Sequence, residues 1–324
     1  MELTSIVTVK KLLERYEIRP FKGLGQNFLI NEGILKKIIE AADIKPEDII
    51  LEVGPGIGTL TQELAKKAEK VIAIEKDKKM VEILKETLAD FTNIKVINAD
   101  ILKTDLTNYK LKTKNYKLIS NLPYNIASAV IRKFLESENH PQEMILMVQK
   151  EVAQRICAKA PDMTHSPSSG SSRAGLGMTH LTGLRSSRAG RGMTRSTGSG
   201  PSRAGRGMNL LAVSVQFYSE PKILFYVSKN NFWPKPKVDG AVIRISKIKY
   251  QISKINTDLF FKIVRAGFSQ PRKQILNNLS KVLKLNKQAV GEWLLKNNIG
   301  INQRAETLKI KDWIKLTKNY IITK

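Results

Sequence analysis

The sequence predicts an α/β protein: a mostly parallel sheet with an antiparallel edge hairpin, followed by a small C-terminal helical domain. Three observations predict it. Strand-like and helix-like patterns alternate from residue 34 to 148, a glycine-rich turn follows the first strand, and beyond Tyr250 the pattern is wholly helical. Strands that alternate with helices make βαβ units. Right-handed crossovers then bring the C-terminal ends of the strands, and the loops after them, to one edge.

Taken in order, Ile34–Ala42 reads as an amphipathic helix and Ile49–Val53 as a short apolar strand that stops at Gly54-Pro55-Gly56. Leu60–Ala68 is helical, Lys70–Ile74 a strand, and Lys78–Phe91 a helix. Ile94–Ile97, Lys117–Ile119 and Met144–Val148 complete five strands. Lys222–Val227 and Ala241–Ile245 have no long helix between them, so they pair as an antiparallel hairpin at the sheet edge. Helices are expected over Asp258–Gly267, Lys273–Leu283, Lys287–Asn297 and Ala305–Tyr320. The division that follows is one domain over 1–250 and a helical, Lys- and Arg-rich domain over 251–324.

The chain has 324 residues, a formal net charge of +26 and a pI near 10.0. A charge that large speaks of partners, and nucleic acid is the commonest polyanion. No apolar run approaches the roughly 20 residues that span a bilayer, so no membrane partner is expected. The first 20 residues lack the apolar core of a secretory signal. One cysteine, Cys157, permits no internal disulfide, and with three histidines it leaves no ligand set for a structural zinc. The expectation is a soluble cytoplasmic protein without metal.

Residues 161–208 differ in kind. Ser-Arg-Ala-Gly-(Leu/Arg)-Gly-Met recurs at Ser172–Met178, Ser187–Met193 and Ser202–Met208, a period of 15 residues. With few large apolar side chains the repeat cannot build a core, and it reads as a disordered insertion in a surface loop. It carries seven Arg and one acidic residue, Asp162, so about +20 of the charge belongs to the rest of the chain.

Glu52-Val53-Gly54-Pro55-Gly56-Ile57-Gly58-Thr59-Leu60 ends a strand and opens a helix. Gly54 and Gly56 let backbone approach a ligand, and the helix start offers free N–H groups. Glu75 ends the next strand, where a carboxylate accepts hydrogen bonds from a ribose diol. Asp100 ends the third, where it can accept from an adenine amino group. The second acid favours an adenosyl ligand ending at a sulfonium, and no lysine follows the glycines, which excludes a P-loop.

Ser120-Asn121-Leu122-Pro123-Tyr124-Asn125 follows the fourth strand. The exocyclic amine of adenine is a poor nucleophile because its lone pair is delocalised into the ring. Two carbonyl oxygens that accept its N–H bonds, the Asn121 side chain and the Leu122 backbone, would pull the nitrogen toward tetrahedral and aim the lone pair. Pro123 stiffens the loop and Tyr124 offers a face to a flipped base. No strong base is needed, so positioning and fixed dipoles supply the acceleration. In Asn231-Phe232-Trp233-Pro234-Lys235-Pro236-Lys237-Val238-Asp239, Phe232 is expected to close the other face of the base pocket, with Lys235 and Lys237 on phosphates.

Together with Phe21-Lys22-Gly23-Leu24-Gly25-Gln26-Asn27-Phe28-Leu29, Met147–Arg155, Arg272–Leu279 and Arg304-Ala305-Glu306, these motifs resemble the ribosomal RNA small-subunit adenine dimethyltransferase family, the KsgA type. The likeness covers the chain except 161–208. It implies a Rossmann-like class I methyltransferase sheet and S-adenosyl-L-methionine as cofactor, held by Asn27, Leu29, Gly54, Gly56, Glu75, Asp100 and Asn121. Such enzymes dimethylate two adjacent adenines in a hairpin loop near the 3′ end of small-subunit rRNA, late in assembly. The implied partner is small-subunit rRNA in an immature 30S-type subunit, met by a monomer. Two features depart from the pattern: the 161–208 insertion stands where a short Pro-Gly loop is usual, and Gly240 where a small polar residue is common. A sister group acting on large-subunit rRNA, and a non-catalytic RNA-binding assembly factor, are the alternatives. The latter predicts decay of the glycine loop or of Asn121, and neither is decayed.

Overall fold

A computed structural model describes residues 1–18, 26–109, 111, 114–161, 207–249 and 255–320. Phe21–Gly25 of the N-terminal motif, and all but the ends of the repeat insertion, lie outside the described residues. The chain opens with α1 (Ile6–Arg15), a two-residue strand β1 (Phe28–Leu29) and α2 (Glu32–Ala41). Strands and helices then alternate: β2 (Ile49–Val53), α3 (Thr59–Ala65), β3 (Lys70–Glu75), α4 (Lys78–Thr87), β4 (Ile94–Asn98), β5 (Lys117–Asn121), α5 (Ala127–Leu135) and β6 (Met144–Gln149). After α6 (Lys150–Ile156) and α7 (Leu210–Tyr218) come β7 (Glu220–Val227), β8 (Phe232–Trp233) and β9 (Gly240–Ser246). The C-terminal helices are α8 (Thr257–Gly267), α9 (Ile275–Leu283), α10 (Lys287–Lys296) and α11 (Ile310–Lys318).

Seven strands form one sheet in the order β4-β3-β2-β5-β6-β9-β7. β2 to β6 are parallel, while β9 runs antiparallel to β6 and β7 antiparallel to β9. The edge hairpin is therefore as expected, with a bulge between Ile223 and Phe225. From β2 the chain winds first toward β4 and then, after β4, toward β6. That reversal opens a crevice at the C-terminal ends of β2 and β5, where α/β sheets bind ligands.

The apolar runs make strands because both their faces are covered. Ile50, Val71, Ile119, Ile145 and Val242 face one cluster with Leu35 and Ile38 of α2 and Leu60 and Leu64 of α3. Leu51, Ile72, Leu118, Leu146 and Ile243 face the other, with Val130 and Phe134 of α5 and Val213 and Phe217 of α7. The second cluster continues without a break into the C-terminal helices, through Phe260, Leu279, Leu294 and Trp313. The stacked rings of Phe217 and Phe260, 4.0 Å apart, carry it across.

Two expected helices depart most from the pattern. The one from Lys78 stops at Thr87, where Leu88 leaves helical dihedrals (φ −113°, ψ 10°). The one over Ala305–Tyr320 is a 3-10 turn at Ala305–Thr307 and then α11. Leu308 is extended, and the Asp312 carboxylate accepts the Lys309 N–H at 2.9 Å, which starts a new helix there.

Candidate active site

The turn after β2 is built by its neighbours. Gly54 has φ +68°, and a Cβ there would stand 3.1 Å from the Pro123 ring. Gly56 has φ +61°, and its Cβ would stand 3.3 Å from the Phe28 ring. Any side chain is strained at both positions and also crowds the neighbouring ring. The glycine turn is thus clasped between the loop after β5 and the N-terminal segment. Ser120 adds a tie from below, its hydroxyl donating to the Val53 carbonyl at 2.5 Å.

Glu75 accepts the Gly56 N–H at 3.2 Å on one oxygen and the Asp77 N–H at 2.9 Å on the other. Burial raises its pKa, and those backbone donors pull against the rise. Asp100 is held differently. One oxygen accepts the Leu102 N–H at 3.0 Å and the other lies 3.0 Å from the Lys76 ammonium, whose hydrogen bond holds this carboxyl below its ordinary value. Leu102 beside it is exposed at the cavity rim and Ile101 is buried.

Asn121 ends β5, and its side-chain N–H donates to the Asn27 carbonyl at 3.4 Å. With the amide nitrogen turned to Asn27, the amide oxygen is the group left to accept from a ligand amine. The Leu122 N–H donates to the Met147 carbonyl at 3.1 Å and the Ile126 N–H to the Pro123 carbonyl at 3.1 Å, which fixes the loop on both sides. Tyr124 has its hydroxyl buried without a hydrogen-bond partner, 3.5 Å from where a Cβ on Gly240 would lie. Burial, aided by the Asp239 charge, pushes its pKa up to about 12, so the phenol is neutral.

Asn27, Leu29, Gly54, Gly56, Glu75, Asp100, Asn121, Leu122, Pro123 and Tyr124 all line one cavity. Phe232 does not join them. It is buried among Leu29, Leu35 and Ile38, because β8 pairs antiparallel with β1, Leu29 opposite Phe232. It stands beside Leu29 on the same face of that two-stranded ribbon, buried, and is not among the residues that line the cavity.

Glu52 is the residue that sequence reading passed over. It lines the cavity, is fully buried, and one carboxylate oxygen has no partner. Burial pushes its pKa up to about 8. Its signal was present: one acid, next to last, in an otherwise apolar strand just before the glycines. S-adenosylmethionine fits this set. Its diol matches Glu75, its adenine the Ile101–Leu102 surface beside Asp100, and its ammonium the orphaned oxygen of Glu52. Among the described residues no cluster of three or more His, Cys, Asp or Glu is arranged to hold a metal.

Comparison with known proteins gives one consistent picture. The family described as "Ribosomal RNA adenine dimethylase" matches residues 20–172 and 200–321. The chain is similar to Ribosomal RNA small subunit methyltransferase A of Dehalococcoides mccartyi (strain CBDB1), 38% identical over 317 residues, 96% of this chain and 92% of that protein. The protein of the same name from Clostridioides difficile (strain 630) is 38% identical over 328 residues, 99% of this chain and 98% of that one. Among solved structures, a dimethyladenosine transferase from Plasmodium falciparum superposes with a TM-score of 0.62 at 26% identity, covering 88% of this chain and 94% of that one. The 23S rRNA methyltransferase ErmE, at 22% identity and a TM-score of 0.59, shares the fold over 90% of this chain and 99% of its own.

Proposed function

The chain belongs to the ribosomal RNA adenine dimethylase family, and from that premise we propose that it methylates N6 of two adjacent adenines in the 3′-terminal hairpin of small-subunit rRNA, giving N6,N6-dimethyladenosine. The observation that carries the reading is the Asn121 amide, tied by its nitrogen to Asn27 of the cofactor segment and left with its oxygen for the target amine. S-adenosylmethionine, when bound, supplies an electrophilic methyl group. Asn27, Leu29, Gly54, Gly56, Glu75, Asp100 and Asn121 hold it, with Glu52 as a further ligand.

The Asn121 side-chain oxygen and the Leu122 carbonyl accept the adenine N–H bonds and aim the nitrogen lone pair. Pro123 keeps that carbonyl in place, and the Tyr124 ring supports the flipped base. Tyr124 is neutral at physiological pH, and the product ammonium, whose nitrogen lone pair is shared with the ring once deprotonated, loses its proton readily to water without a strong base. Phe232 braces Leu29 from beside it, through the β1–β8 pair.

RNA reaches the site over basic surface. Arg272, Lys273, Lys281, Lys287 and Arg304 line a polar hollow beside α9, and of these only Arg304 makes an ion pair among the described residues, at 4.0 Å to Glu306. The reading places the protein in the cytoplasm as a monomer without metal, acting on an immature 30S-type subunit.

The test is methyl transfer from labelled S-adenosylmethionine to unmethylated small subunits, with modified bases mapped by mass spectrometry. Paired dimethyladenines near the 3′ end, reduced roughly a hundredfold or more in rate by Asn121→Ala, are the expected result. Transfer only to large-subunit RNA, or tight binding without transfer, overturns it.

A further inference from the structure

Tyr226 is the most exposed aromatic side chain among the described residues, at 51%. It lies at the C-terminal end of β7, opposite Ala241 of β9, and so on the same sheet edge as Asn121. The Lys150 ammonium stands over its ring, 5.2 Å from the centroid. Lys150 is tied toward the site: its N–H donates to the Asp239 carbonyl at 2.9 Å, and the Asp239 charge reaches Tyr124. Lys235, Lys237 and Val238, in the segment between β8 and β9, are exposed. None of Lys150, Lys235 and Lys237 is in an ion pair among the described residues, and nothing in the mechanism above uses Tyr226.

We propose that Tyr226 and Lys150 form a stacking platform for a nucleotide that flanks the target adenine in the RNA strand. Three strand spacings separate β5 from β7, about 14 Å, too far for the base held at Asn121 and near enough for its neighbours in the strand. A ring face accepts any base by stacking, and a lysine beside it meets the phosphate. Base and ammonium share the work that exposed aromatics and cations do on single-stranded nucleic acid. The platform rests on the proposed RNA substrate, and it adds a subsite outside the base pocket.

The experiment uses the full chain and a short single-stranded, adenine-containing RNA read by fluorescence anisotropy at fixed salt. Tyr226→Ala should weaken binding about tenfold, while Tyr226→Phe should stay within about twofold, because the ring face and not the hydroxyl does the work. Lys150→Ala should lower the slope of log affinity against log salt by about 0.7. Unchanged affinity for S-adenosylhomocysteine checks that the variants fold. In the unaltered protein, RNA carrying 5-iodouridine beside the target adenine should cross-link to Tyr226 on irradiation. Equal binding by Tyr226→Ala and the parent, equal loss in Ala and Phe variants, or cross-links confined to other residues overturns the platform alone. A parent that binds this RNA but transfers no methyl group to subunits overturns the function and leaves the platform standing. A parent that binds no RNA overturns both.

Discussion

At the scale of single residues, Glu52 carries the sharpest expectation. In the unfolded chain its carboxyl titrates near 4.5, and in the fold near 8. The folded protein therefore binds more protons between those values, and stability falls as pH rises through that window. Replacing Glu52 by Gln removes the titrating group. Urea midpoints of the ligand-free protein should then be flatter from pH 5 to 8, with the variant the more stable by roughly 1–3 kcal/mol near pH 8. The same substitution should weaken S-adenosylhomocysteine binding by calorimetry. A variant that binds that ligand as the parent does would sink the assignment of Glu52 to its ammonium. Asn121 and Glu75 were legible in the sequence because each ends a strand at the edge where ligands bind. Glu52 was not read as a site because its burial and its orphaned oxygen arise from tertiary packing. The burial of Phe232 was hidden for the opposite reason. An aromatic among lysines and prolines looks exposed, and only its pairing with Leu29, far away in the chain, buries it.

At the scale of elements, strand limits were legible to within two residues because apolar runs such as Ile49–Val53 are bounded by turn residues. The two-residue strands β1 and β8 are too short to leave any period in the sequence. The break at Leu308 was hidden because Ala305–Tyr320 keeps an apolar spacing through it. The contact of α8 with α11 also escaped the pattern. Gly267 ends α8, and a Cβ there would lie 2.4 Å from the Trp313 indole, which is fully buried. Alanine favours a helix over glycine by at most about 1 kcal/mol, but overpacking a rigid ring costs about 1–3 kcal/mol. Gly267→Ala should thus lower stability in a urea titration, and a more stable variant would mean that the helices separate freely.

At the scale of the whole molecule, charge and length pointed to RNA and to one large unit with an appended one, whereas the continuity of the core did not show. Buried Phe217 and Phe260 each look like the core of their own segment, and only the structure stacks them. The repeat insertion enters this body after Pro161 and returns at Gly207, where the Met208 N–H donates to the Glu306 carbonyl at 2.9 Å and Asn209 donates to the Arg155 carbonyl at 2.9 Å. The return point is thereby fixed to the C-terminal helices and to α6. Closing a loop costs free energy only as the logarithm of its length. Replacing residues 162–206 by about five Gly and Ser residues should therefore raise stability by no more than about 2 kcal/mol. Thermal melting checks this, and a large loss would show that the segment packs on the fold.

The β1–β8 ribbon has a thermodynamic consequence. One of its strands continues from Asn27, whose carbonyl holds the Asn121 amide, and the other runs on to Lys235, Lys237 and Asp239 beside Tyr124. A cofactor held at Asn27 and an RNA strand held at Lys235 and Lys237 would press on two edges of a single hydrogen-bonded strip, and a strip ordered by one ligand would be ordered for the other. Their affinities then form a closed cycle, in which the factor by which S-adenosylhomocysteine tightens RNA must equal the factor by which RNA tightens S-adenosylhomocysteine. Titrating each ligand with and without the other measures both factors, and a value of one would mean that the strip transmits nothing.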